Sequence, residues 1–506
     1  MMKNTTSIAA VIAALFMPAV ALAATPIGSI TKEWTYSHAA TGISGLTSEI
    51  SAYDSITNTI WVAGVVGVDV LNATNGSLVQ HINTSSFGSI NSVAIYNGMA
   101  AFAIQSTVQT NAGVVKLFDT TSRSLVSGVN SIAVGALPDM LTFTPDGSKL
   151  LVANEGTPTT YGTRIGTTIP RSYNPAAVDP VGSVSIIDVG TRAVVATPGF
   201  VGVTQTGSNI RTNTGMDFEP EYIAVNAAGT KAYVTLQEAN AIGILDLNTN
   251  SFEKVVGLGT KDFSLPGNTI DPLNNGAVSF ISANVKGMYM PDGIAAYEAN
   301  GATYLVTANE GDFREDDGDR SAAGSTGLNA TGSLANLRVS NTDSSPGNLY
   351  AAGGRSFSIL DANGALVFDS GDLLDKKAAE LGIYDDVRSR DKGVEPEGVE
   401  LFKLNGRVIA AIGLERTLKG AVALYDITDP ANSSFLDMIV TGGDLAPEGL
   451  EAFEINGKSY LAIANESSNT TTLYSLAPVP EPETYALLIA GLGLVGFSAK
   501  RRKKTA

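Results

Sequence analysis

The chain has 506 residues, of which 44% are apolar, 16% are charged and 53 are glycine, enough apolar material for a large core and too little charge for disorder. Zero cysteines and only two histidines, His38 and His81, exclude thiol nucleophiles, disulfides, thiolate zinc and multi-histidine metal sites. A formal charge of -17 excludes a nucleic-acid-binding face and points instead to bound cations.

At the N-terminus Lys3 precedes an apolar run from Ser7 to Val20, and Ala21-Leu22-Ala23 before Ala24 supplies the small residues at which a signal peptidase cuts. Residues 1–23 are therefore read as a signal peptide and 24–477 as the folded body. Ile27 to Tyr36 reads as a spare strand. After it, one unit recurs seven times: a short apolar strand, a polar turn, a returning strand, then a third strand ending near an Asp. The first two copies are weak, running from Ser48 through Trp61 to Leu71 and from Asn91 through Phe102 to Phe118. The clear copies start at Leu137-Pro138-Asp139, Glu219-Pro220-Glu221, Met290-Pro291-Asp292, Glu395-Pro396-Glu397 and Ala446-Pro447-Glu448. Turns such as Asn300-Gly301, Asn405-Gly406 and Asn456-Gly457 suit tight hairpins.

Four-stranded repeats of this kind close into a β-propeller, so an all-β, seven-bladed fold is expected. The last repeat has three strands, and the spare strand at Ile27 to Tyr36 is expected to complete it. Long insertions at 156–182, 199–218, 257–289, 311–348 and 371–394 fall where second strands end or first strands begin, with a short helix at Leu373 to Leu381.

The start of a first strand lies beside the end of the second, so the acids at these places converge. Asp139, Glu221, Asp292, Glu397 and Glu448 form one expected ring, with Ser48 and Asn91 at the matching places in the first two repeats. Glu155, Glu238, Glu310, Glu415 and Glu466 form a second. Ten carboxylates around one mouth repel one another unless cations are present, and oxygen-only ligands suit divalent cations of the Ca²⁺ or Mg²⁺ kind, Ca²⁺ foremost. Arg314, Lys392 and Arg416 are candidate phosphate-holding groups or neutralising partners of the ring. The acidic run Asp312, Glu315, Asp316, Asp317 and Asp319 is a further candidate for Ca²⁺ or simply a solvated charge run.

The tail, 478–506, carries Pro480-Glu481-Pro482, then an apolar stretch from Tyr485 to Ala499, then Lys500, Arg501, Arg502, Lys503 and Lys504. Physically this is a marginal, transient membrane anchor stopped by a basic cluster. Its three parts closely resemble the PEP-CTERM sorting signal. The resemblance implies processing by exosortase-type machinery at the inner membrane of a Gram-negative bacterium, and delivery to the cell surface or to a matrix where extracellular polysaccharide is a partner.

In the body, Asn309-Glu310-Gly311-Asp312, the run Ser389 to Gly398, Gly413-Leu414-Glu415-Arg416 and Tyr425 to Pro430 resemble the choice-of-anchor I family of exported propellers. Related propellers are the YVTN-type repeats and phytase-like or alkaline-phosphatase-like esterases, which hold calcium or other metal ions over the channel. Two functions are carried forward: a surface-displayed, cation-binding protein with a binding or structural role, or a metal-dependent phosphoesterase. No nucleophile motif of the Gly-x-Ser-x-Gly kind in a strand-turn-helix setting supports the second.

Overall fold

The computed structural model describes residues 27–479 apart from 170, 213–217 and 315–317. The signal peptide, Pro480-Glu481-Pro482 and the acids Glu315, Asp316 and Asp317 lie outside the described residues. The described chain is all-β, with one α-helix at Leu373–Glu380.

Seven antiparallel sheets are built in the same way, each from strands laid side by side in chain order. Their first strands are Ser51–Asp54, Ser89–Tyr96, Pro138–Phe143, Pro220–Val225, Ile294–Ala299, Pro396–Leu404 and Pro447–Ile455. In the seventh sheet the fourth place is taken by Ile27–Ser37, which runs antiparallel to Thr470–Pro478 with Ile27 opposite Pro478 and Ser37 opposite Thr470. That is the place the sequence reserves for Ile27 to Tyr36. The fourth sheet gains a parallel fifth strand from an insertion, Gln205–Ser208.

The sheets have two unlike ends. At the turn end, first and second strands are joined by two to five residues. Asn58, Asn97, Asn300, Asn405 and Asn456 there adopt positive φ, which Asn tolerates because its short side chain bonds locally. At the loop end lie all five insertions, the helix Leu373–Glu380 among them.

Apolar residues pack between neighbouring sheets rather than within one. Ile60, Val62 and Leu71 of the first sheet meet Phe453, Ala462 and Leu473 of the seventh, and Tyr53 stacks on Phe453 with ring centroids 3.9 Å apart. Each first strand touches the first strand of the next sheet, and Pro447–Ile455 touches Ser51–Asp54. Glycine makes that approach close. A Cβ on Gly293, Gly398 or Gly449 would fall 2.3, 2.1 or 2.2 Å from the carbonyl oxygen of Glu397, Glu448 or Glu49 respectively, so none of the three tolerates a side chain.

Both histidines serve the junction of the first and last sheets. His38 Nδ1 and His81 Nδ1 bond the two oxygens of the fully buried Asp69 at 2.8 and 2.7 Å, and His38 Nε2 reaches Thr471 Oγ1 at 2.8 Å. His38 begins the short turn after the N-terminal strand, Asp69 and His81 belong to the first sheet and Thr471 to the last, so this cluster ties three segments distant in sequence. Removing it leaves buried imidazole N–H groups without an acceptor. Asp69→Ala is therefore expected to lower stability by about 2–5 kcal/mol, read as a lower urea midpoint at an unchanged slope. An unchanged midpoint would show that the junction does not depend on this carboxylate.

Candidate functional site

The position of each first-strand acid follows from a local backbone device. In the sixth sheet Pro396 pairs with Leu414 and Val399 with Ile412, so Glu397 and Gly398 together oppose one residue. The same bulge recurs at Asp139, Glu221 and Glu448. Bulges re-aim side chains, and here they turn an acid toward the loop end. Before the proline, Leu137, Glu395 and Ala446 hold φ near +50°, an uncommon conformation that the bulge and the following strand enforce; Met290 does the same before Pro291-Asp292.

The repeat alignment is one residue out in the first sheet. Glu49 N donates to Ala63 O at 3.0 Å and Ala63 N to Ile50 O at 2.8 Å, matching Asp292 N to Ala308 O and Ala308 N to Gly293 O. Gly449 N also donates to Glu49 O at 3.1 Å. The ring position is thus Glu49, not Ser48, whose hydroxyl instead donates to Thr470 O. Repeat one lacks the Pro-acid pair that marks the register elsewhere. Asn91 keeps its place and donates to Pro138 O at 3.1 Å.

At the loop end these residues enclose a cavity of about 470 Å³. Asp139, Glu155, Glu221, Glu238, Asp292, Glu310, Glu397, Glu415 and Glu448 all line it, together with Lys392 and Arg416. Asp312 of the acidic run lines it as well, and so do Glu395, Arg320, Arg388, Gln237 and Tyr222, which were not among the expected site residues. Glu395 was legible as the first acid of an acid-Pro-acid triplet; Arg320 and Arg388 come from insertions, whose paths no repeat alignment gives.

Two expected residues are elsewhere. Glu466 does not line the cavity, although its charge acts on Glu49 and Glu448. Arg314 is buried away from it, its guanidinium 4.0 Å from the Tyr173 ring centroid and 4.7 Å from that of Tyr161, with Nη2 donating to Gly162 O. It joins two insertions and is not placed to hold phosphate in the cavity. In the acidic run nearby, Asp319 is fully buried and pairs with Arg211, which also bonds Asp343 at 2.9 Å. Asp319 is therefore spent on an ion pair rather than offered to a calcium ion.

The cavity has two electrostatically different sides. On one, Lys392 Nζ lies 2.6 Å from Glu310 and 3.0 Å from Glu395, Arg388 bonds Glu395 at 2.6 Å, and Arg416 bonds Glu415 at 2.5 Å. Burial opposes the Lys392 charge, but Glu310 and Glu395 outweigh it and hold the ammonium well above the usual lysine range. Burial likewise opposes ionisation of Glu395, and Lys392 and Arg388 overcome it, so its carboxyl sits below the usual range. On the other side, among the described residues, Asp139, Glu221, Asp292, Glu397 and Glu448 have no ion-pair partner, nor has Glu49, which does not line the cavity. Burial pushes all six upward, Glu49 and Asp139 to about 7, and neighbouring carboxylates add to the rise at every one except Asp139; burial also raises Glu310, and Glu415 to about 8, in spite of Lys392 and Arg416.

Three triads bring carboxylate oxygens within 4.8 Å of one another: Asp139, Glu155 and Glu221; Asp292, Glu310 and Glu397; and Glu310, Glu395 and Glu415. Lys392 already serves the third. The first fits a hard divalent cation because every donor is oxygen; the second offers Asp292 and Glu397, whose Oε2 is buried with no hydrogen-bond partner, but a cation there competes for Glu310 with Lys392 at 2.6 Å and Gln237 at 2.7 Å.

These features define an all-β repeat protein whose loop end gathers carboxylates into one cavity. Residues 49–430 match the model of the choice-of-anchor I domain, and residues 478–503 match the PEP-CTERM protein-sorting motif. The chain belongs to the choice-of-anchor I family, and its sorting motif makes it an exported, cell-surface protein of Gram-negative bacteria, handled by exosortase-type machinery. No curated protein matches the chain. Among solved structures, it is similar to hydrazine synthase of Kuenenia stuttgartiensis at 10% identity and a TM-score of 0.48, over 85% of this chain and 96% of that one. It is also similar to a chain of a mitotic checkpoint complex at 11% identity and a TM-score of 0.46, over 94% and 100%. Neither likeness bears on what this chain does.

The raised carboxylates fix a pH dependence. A group whose folded pKa exceeds its unfolded value stabilises fully below the unfolded value, near 4, and loses that contribution as pH rises through the folded one. With Glu49 and Asp139 at about 7 and Glu415 at about 8, stability in chelator should fall as pH rises from 5 to 8. Millimolar Ca²⁺ should abolish that fall, a difference on the order of 5–10 °C in Tm at pH 8 by scanning fluorimetry. Identical pH profiles with and without the cation would contradict the reading of the cavity.

Proposed function

We propose that this protein is a seven-bladed β-propeller, displayed at the surface or in the extracellular matrix, whose cavity binds divalent cations, Ca²⁺ foremost, in a binding or structural role. Support for the propeller comes from seven like sheets whose first strands neighbour one another in sequence order, the seventh beside the first. The observation that carries the cation reading is the inequality of the two sides: Lys392, Arg388 and Arg416 serve Glu310, Glu395 and Glu415, while among the described residues Asp139, Glu221, Asp292, Glu397 and Glu448 have no ion-pair partner. Asp139, Glu155 and Glu221 would hold one cation, and Asp292, Glu310 and Glu397 another. Bound at either place, a divalent cation lets these carboxylates ionise together. Extracellular polysaccharide remains a partner suggested by the sorting motif alone.

A second reading is favoured by one feature. Arg320, Arg388, Lys392 and Arg416 line the same cavity as the acids, so a phosphoester could meet guanidinium groups on one side and cations on the other. This is the metal-dependent phosphoesterase reading, with the cation supplying the polarisation of the phosphoryl group.

Calorimetric titration of chelator-treated protein with Ca²⁺ should show saturable binding, weakened at least tenfold by Asp139→Asn combined with Glu221→Gln, as expected when charge-assisted ligands are lost. No heat of binding would overturn the proposal. Hydrolysis of a phosphoester panel by the loaded protein, lost in Glu310→Gln combined with Glu397→Gln, would decide for the enzyme.

A further inference from the structure

The two ends of the sheets differ in chemistry, and the chain leaves from only one of them. In the last sheet Pro447 pairs with Asn465 and Asn465 with Thr470 at the loop end, beside the acidic cavity. At the turn end Ile455 pairs with Lys458, Ser459 with Leu476, and Ile27 with Pro478. Both the strand that follows the signal peptide and the strand that leads into the sorting motif therefore meet the turn end. The motif match begins at residue 478, the last residue of that strand.

Only Val479 to Thr484 separate this strand from the apolar stretch that starts at Tyr485. Fully extended, such a linker reaches about 20 Å. A domain of this size has a radius of gyration of about 22 Å, which makes it roughly 55–60 Å across. The linker cannot pass around it. Charge acts in the same sense, because anionic headgroups repel the unpaired carboxylates of the loop end.

We infer that, while its tail is in the membrane, the protein stands with the turn end toward the lipid and the acidic cavity, with all five insertions, facing the medium. The cavity then takes its ligands from the aqueous space beyond the membrane surface and not from the bilayer. This rests on residues 485–499 inserting in lipid.

The absence of cysteine allows a direct test on the full chain. Ala228→Cys places a thiol at an exposed turn of the fourth sheet, across the repeats from the tail, and Leu418→Cys places one at the loop end, where the leucine is 56% exposed. Each variant is labelled with a fluorophore and mixed with phosphatidylethanolamine–phosphatidylglycerol vesicles carrying nitroxide-labelled headgroups. Flotation with the vesicles and several-fold stronger quenching at position 228 than at 418 is the expected result. Flotation with equal quenching, or with stronger quenching at 418, would overturn the geometry. Failure to float would overturn the proposal at its premise, the membrane-inserted tail.

Discussion

Mutual repulsion among carboxylates gathered in one partly dry cavity is the constraint on which the rest of the structure turns. Two ionised oxygens 4.8 Å apart, the limit within which each triad lies, repel by about 3 kcal/mol at an effective dielectric of about 20. Several such pairs together exceed a sizeable part of a domain's net stability. A chain can keep such a cluster only by holding protons, placing its own cations or taking cations from solution. One side of this cavity shows the second solution in Lys392, Arg388 and Arg416. The opposite side shows carboxyls pushed upward by burial, which at neutral pH is a choice between protons and metal.

The scaffold makes that crowding possible. Bulges aim an acid at the loop end in four of the sheets, and after Asp292, Glu397 and Glu448 a glycine lets neighbouring first strands approach until no side chain fits between them. The insertions add what the repeat lacks, since Lys392, Arg388 and Arg320 all come from them. The junction of the first and last sheets is held by Asp69 between His38 and His81, which gives both histidines a structural place.

Much of this was legible in the chain. Seven units, their hairpin turns, the extra N-terminal strand and nine of the ten expected carboxylates at the cavity follow from a repeat that keeps a similar spacing, 16 to 18 residues, between the Pro-acid and the Glu just after the second strand. Register failed where that marker is missing: without a Pro-acid pair, Ser48 was taken for Glu49, and only the hydrogen bonds to Ala63 correct it. The insertions were opaque for a different reason. Arg314 and Asp319 sit in long loops with no period, and their aromatic and guanidinium partners, Tyr173 and Arg211, come from other insertions far along the chain.

The proposed binding of cations is tested most directly by anomalous diffraction from crystals grown at pH 7.5 with Mn²⁺ in place of Ca²⁺. The expected result is an anomalous peak coordinated by Asp139, Glu155 and Glu221, with a second at Asp292, Glu310 and Glu397 and none where Lys392 meets Glu310 and Glu395. A cavity free of anomalous density at that pH, with the carboxylates paired through shared protons, would contradict it.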